Sequence, residues 1–146
     1  MKTLVSLAFF LTAAFLVNAQ KLLSPKEFLG YELGERFTRH HRVVEYYKHV
    51  AEVMPNIELR QYGETYEHRP LVYAVVTAQE NFQNLEQIRT DNLKRTGTVD
   101  GVPGGPKKAI IWFSYNVHGN EASSLEASMM TLYELANTSN PKRKSG

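Results

Sequence analysis

His118 and Glu121 lie three residues apart in the segment HGNE, and each side chain can offer a lone pair to a divalent metal. Imidazole nitrogen and carboxylate oxygen are the donors that hydrolytic zinc takes, with water in the open position. A metal so held brings the bound water close to ionisation at neutral pH and polarises a scissile carbonyl. Two donors are one short of the three protein ligands usual at catalytic zinc, and no histidine follows His118 in the sequence. The plainer reading of the same residues is a polar turn that caps a helix.

The flanking elements give the pair its context. Residues 109–115, AIIWFSY, are a near-continuous apolar run, as expected of a strand covered on both faces. Ala122, Leu125, Met129, Leu132 and Ala136 recur at steps of three and four, which predicts an amphipathic helix, with Asn120 as its N-cap. His118 then leaves the carboxyl end of a buried strand while Glu121 opens the helix, and Gly119 permits a tight turn between them. In open α/β sheets such strand ends border the ligand crevice. Spacing alone says little, because His49 and Glu52 repeat it inside a predicted helix. Positions three apart on a helix share a face, and that pair reads as a solvated helix surface. His40, His41 and His68 likewise read as surface residues. Tyr46 with Tyr47, Trp112 with Phe113, and Met129 with Met130 read as packing residues. A serine nucleophile elbow, a P-loop and paired cysteines are all absent.

Upstream, residues 1–19 read as a secretory signal peptide. Lys2 supplies the charged start, residues 4–17 are apolar apart from Ser6 and Thr12, and Val17 and Ala19 place small residues before a cut at Gln20. The run falls short of the ~20 apolar residues of a membrane span. Taking nineteen residues from 146 leaves 127, with 16 basic side chains against 15 acidic ones. That balance argues against nucleic acid, which needs a basic excess. With no cysteine there are no disulfides. A secreted, periplasmic or cell-envelope location is expected, with no stable membrane span after cleavage. Residues 20–34 form a lead-in whose apolar side chains should pack. Residues 35–54 predict a helix ended by Pro55. Residues 57–62 and 71–77 predict strands of a hairpin around 62–70, with a turn at 63–65. Residues 79–95 predict one surface helix, and 96–106 a glycine- and proline-rich loop.

The segment WFSYNVHGNEASSLEA resembles the zinc-binding segment of the M14 metallocarboxypeptidases, in which a buried strand ends in His-x-x-Glu and a helix follows. The upstream order is also similar: a tyrosine-containing helix, a proline turn, then Gly63 and Arg69-Pro70 before the second strand. Members often carry glycine where this chain has His68. The resemblance spans roughly residues 46–137, with a longer insertion between Ala78 and Pro106. It implies an α/β fold: part of a carboxypeptidase-like mixed sheet flanked by helices, in residues 35–146, truncated before the sheet is complete. It implies a zinc metallocarboxypeptidase acting on peptides or proteins, with His118 and Glu121 as the first and second Zn2+ ligands. The third ligand, the carboxylate-binding residues and the general base would lie beyond residue 146, so this chain alone would be inactive. The incomplete sheet would leave an unpaired edge and bare helix faces such as Leu125, Met129 and Leu132. A zinc-dependent deacylase of an N-acylated amino acid, and a non-catalytic secreted binding domain, are the alternatives.

Overall fold

The computed structural model describes residues 21–138, so the expected signal peptide and the basic tail lie outside the described residues. In chain order the elements are helix α1 (Pro25–Leu29), helix α2 (His40–Val53), strands β1 (Ile57–Glu64) and β2 (Pro70–Val76), a 3-10 turn (Gln79–Asn84), helix α3 (Leu85–Arg95) and helix α4 (Ala122–Ala136). This is a small mixed α/β fold. Helix α2 lies at its centre, touching α1, both strands and α4.

The core follows from helical periodicity. Val43, Tyr46 and Val50 in α2 face Met129, Leu132 and Ala136 in α4, with Ile57 of β1 closing the cluster. Both sets step by three and four, which puts each on one side of its helix. Met129 and Leu132 are therefore buried, at 0% and 4% exposure, where an uncovered helix face was expected. The expected methionine pair divides, since Met130 on the far side is exposed. Tyr46, rather than Tyr47, goes deepest, and its hydroxyl donates to Leu23 O at 3.0 Å.

Helix α2 starts at His40, five residues later than expected. Thr38 is buried with its hydroxyl bonded to Glu126, and Phe37 is turned out to solvent. That tether keeps residues 35–39 out of the helix. At the other end Met54 is extended, as the residue before a proline prefers. Residues 79–95 break into the 3-10 turn and α3 where one helix was expected. Asn81 and Asn84 turn their side chains onto Thr77 and on Glu80 O, the local bonding by which asparagine competes with regular helix. The loop after α3 is pinned by Asp91, which is 2% exposed and accepts from the amides of Gly104 (2.9 Å) and Gly105 (2.8 Å). The Gly104 amide, burial opposing it, leads the effects that hold the Asp91 carboxyl below its ordinary range.

The lead-in packs as expected. Helix α1 has a complete capping box: Ser24 N and Oγ donate to Glu27 Oε2, both at 2.8 Å, while Glu27 N donates to Ser24 Oγ. The Ser24 amide first, then Lys21 and the Ser24 hydroxyl, hold the Glu27 carboxyl at about 2 against an ordinary 4.5. A depressed folded-state value means that this cap contributes fully above pH 4.5 and is lost as pH falls through about 2. Followed by NMR, the Ser24 amide shift should move with a midpoint near 2, and a midpoint near 4.5 would mean that the cap is not formed.

The β1–β2 hairpin is antiparallel, from Ile57 opposite Val76 to Gln61 opposite Val72. A bulge at Tyr62 then shifts the register to Gly63 opposite Leu71. Strand pairing therefore runs on through Glu64, and the turn lies at residues 65–69 rather than 63–65. Thr65 N donates to Arg69 O at 2.9 Å and His68 N to Thr65 O at 2.9 Å. Closing this loop puts His68 at φ 57, in the left-handed region. Glycine takes that conformation freely, while other L-residues lose ~1–2 kcal/mol. The reverse entropy cost of glycine is about 0.5–1 kcal/mol. His68→Gly should therefore stabilise the protein by about 0.5–1 kcal/mol in urea unfolding.

Candidate functional site

The candidate pair sits where an extended segment meets α4. Asn116, at φ 57, turns the chain, and asparagine tolerates the left-handed region. Ser124 Oγ donates to Asn116 Oδ1 at 3.3 Å, and Tyr115 OH donates to Thr131 Oγ1 at 2.7 Å, so the incoming segment is tied to the helix it precedes. A turn from His118 to Glu121 follows, closed by Glu121 N donating to His118 O at 3.1 Å. That turn encloses Asn120, so Glu121 takes the N-cap position in its place. The Glu121 side chain makes no capping bond and points instead at the imidazole. His118 Nδ1 and Glu121 Oε1 are 3.1 Å apart. Both side chains are open to water, at 70% and 57% exposure. Gly119 has open space where a Cβ would be and no positive φ, so the turn does not require glycine there.

The buried strand expected at 109–115 does not form. The described residues contain one sheet, β1 with β2, and the segment pairs with neither strand. Ile110, Ile111, Trp112 and Phe113 are 57–73% exposed. Trp112 does reach Tyr73 of β2, ring centres 6.4 Å apart. The side chains have the apolar, β-prone character of an interior strand, but no described element supplies a layer on either face. The expected crevice at the strand's end is absent for the same reason. A shallow cleft lies instead between residues 33–37 and the first turns of α4, lined by Leu33, Gly34, Phe37, Ala122 and Glu126 among others, and neither His118 nor Glu121 lines it.

The remaining histidines are placed apart from the pair. His49 is not on a solvated face: its Nε2 accepts from Leu23 N at 3.1 Å, and its ring stacks on Phe28 at 5.6 Å. It fastens the lead-in to α2, while Glu52 is exposed. His40 is half-buried, and burial, then Arg69 and His41, push its imidazole below the ordinary value. His41 and His68 are exposed. No group of three or more His, Cys, Asp or Glu that could hold a metal occurs among the described residues.

Sequence reasoning missed Glu126. Its carboxylate, in a residue 8% exposed, accepts from Gly34 N at 2.5 Å and Thr38 Oγ1 at 2.6 Å. The available signal was a glutamate next to Leu125 and three before Met129, on the side of α4 that the apolar stripe marks as inward. Charged residues are seldom buried without partners.

The family model for zinc carboxypeptidases, peptidase M14, matches residues 43–145. The chain belongs to this family. No curated protein and no solved structure matches it. The matched zinc carboxypeptidase region includes α2 from Val43 onward, the hairpin, α3, the exposed segment and α4, and so contains both His118 and Glu121. Residues 21–42 precede it. No helix among the described residues is long and apolar enough to cross a membrane.

The exposed run 110–113 is apolar, uncharged, free of proline and β-prone, the composition that drives strand-to-strand association. Ile111→Lys should therefore lower concentration-dependent light scattering of the purified protein without lowering its melting temperature. Unchanged scattering would place association elsewhere.

Proposed function

We propose that this protein acts as a zinc-dependent metallocarboxypeptidase, removing carboxy-terminal residues from peptides or proteins, with His118 and Glu121 as two of the zinc ligands. The observation that carries the reading is the 3.1 Å approach of His118 Nδ1 to Glu121 Oε1, within the region that matches the family. Adjacent donors around a tetrahedral zinc lie roughly 3.3–3.6 Å apart, given bonds of ~2.0–2.2 Å. The two atoms are hydrogen-bonded to each other at 3.1 Å, and a small widening of that contact would let both face one ion. The donor chemistry also fits, being one imidazole and one carboxylate with solvent on the open side.

Each residue of the turn has a part in this. Asn116 and Ser124 fix the direction in which the chain enters. The His118 carbonyl, by accepting from Glu121 N, sets the spacing of the two donors. Glu121, free of capping duty, is available to the metal. Zinc, when bound, supplies an activated water and polarises the scissile carbonyl. The third ligand, the general base and the substrate-carboxylate site are assigned in this reading to chain outside the described residues. The apolar character and exposure of 110–113 support further chain or a partner covering that stretch. Action outside the cytoplasm is part of the same proposal and rests on residues 1–19.

A non-catalytic binding domain is the competing reading, favoured by the lack of a three-ligand group among the described residues. Zinc titration calorimetry separates the two. His118→Ala or Glu121→Ala should weaken zinc binding by more than the ~10–100-fold that loss of an outer partner costs, and, in a protein that also carries the remaining ligands, should abolish release of carboxy-terminal residues. Glu52→Ala should change neither, and His49→Ala should lower stability while leaving zinc affinity intact. Equal losses from both pairs, or no zinc binding by the parent protein, would overturn the assignment.

A further inference from the structure

Helix α4 carries Glu121 at its start, where apolar packing is thin: in the first turn only the half-buried Leu125 reaches the core. Met129, Leu132 and Ala136 are buried against α2, whereas no residue from Ala122 to Leu125 is buried. The helix also begins without a side-chain cap. Between its thinly packed first turn and its packed second half stands Glu126, with both carboxylate oxygens in use. Oε2 accepts from Gly34 N and Oε1 from Thr38 Oγ1, across 92 and 88 residues of sequence. Thr38 is 2% exposed, and its hydroxyl also meets Tyr31 OH at 2.9 Å.

The partners of Glu126 all lie in residues 31–38, ahead of the family-matched region. That stretch is itself fastened at its other end. Leu23 N donates to His49, Leu23 O accepts from Tyr46, and Arg42 Nη2 donates to Phe28 O at 3.3 Å. Residues 21–38 thus form a strap, tied to α2 at one end and to α4 at the other.

We infer that Glu126 is a positioning residue for Glu121: it ties the first turns of α4 to the 21–38 strap and so fixes where Glu121 stands relative to His118. A charged anchor suits this place. The carboxylate can accept two hydrogen bonds from different parts of one loop, and bonds to an ionised acceptor are shorter and stronger than neutral ones. A glutamine can still accept from Gly34 N and can donate to the Thr38 hydroxyl, which then turns its proton to Tyr31, but it lacks the charge that strengthens both bonds.

The inference draws on the zinc reading for one of its two readouts and stands without metal on the other. Amide hydrogen exchange on the full chain is the metal-free readout. The amides of residues 125–128 bond to the carbonyls of 121–124 and report the first turn, while those of 132–136 report the packed half. Glu126→Ala should speed exchange at 125–128 by about tenfold or more and leave 132–136 nearly unchanged. Glu126→Gln should fall between it and the parent. Zinc affinity, measured with zinc chloride alone, should drop ~10–100-fold, as for loss of an outer partner of a metal ligand. Met129→Ala is the control: it should lower the melting temperature at least as much, without a selective effect at 125–128 and without loss of zinc affinity. Should Glu126→Ala fail to fold, Thr38→Val removes one of the two donors and should give the same pattern at smaller size. Uniform acceleration along α4, or a matching zinc loss in Met129→Ala, would reduce Glu126 to a general stabiliser and overturn the inference. A parent protein that binds no zinc would sink the metal reading, and the exchange pattern would still decide the role of Glu126.

Discussion

The packing of α4 on α2 is the constraint on which the rest of the structure depends. Met129, Leu132 and Ala136 meet Val43, Tyr46 and Val50, and burial of each large apolar side chain is worth ~1.5–3 kcal/mol. This contact joins the two ends of the described chain. It sets α4 in place, and with it the turn that brings His118 and Glu121 together. The hairpin closes the same core through Ile57, and Asn56, just ahead of β1, reaches Ala136 O at the end of α4. Without that pairing the candidate site would be a loop attached to a loose helix.

Polar contacts then refine what apolar packing leaves free. Hydrophobic burial holds the start of α4 only weakly, because no residue of its first turn is fully buried and Leu125 alone reaches the core. Directional bonds take over there: Glu126 to the strap, Ser124 to Asn116, and the Glu121 amide to the His118 carbonyl. Asp91 fixes the glycine-rich loop after α3 in the same manner. In each case a carboxylate, hydroxyl or amide holds residues that are not buried in the apolar core. Membership of the zinc carboxypeptidase family gives a context in which such placement matters, since metal ligands tolerate little displacement.

Much of this was legible in the sequence, for reasons that can be traced to particular residues. The three-and-four stepping of Leu125, Met129, Leu132 and Ala136 gave α4, and the alternation at 57–62 gave the first strand; α2 was expected within 35–54, but on a face through Phe37, Val44, Tyr47 and Ala51 rather than the one through Tyr46 that is buried. Pro55 ended α2 as proline must. The errors share one cause, which is that partners decide what a segment does. The run 109–115 has the composition of a buried strand, but composition does not supply neighbouring strands, and the described residues offer none. The start of α2 was misplaced because the Thr38–Glu126 bond spans 88 residues and leaves no local trace. His49 was read as solvated because its acceptor role depends on Leu23, 26 residues away. The approach of His118 to Glu121 follows from their spacing across one turn, while Glu126 was visible only as a charge on an apolar face.

The central claim is that His118 and Glu121 together face one zinc ion. Anomalous scattering at the zinc edge, from crystals of the protein grown with stoichiometric Zn2+, tests it most directly. The account predicts a peak within ~2.0–2.2 Å of both His118 Nδ1 and a Glu121 carboxylate oxygen. A peak held by His40, His41 or His49 instead, or no ordered zinc at the α4 turn, would contradict it.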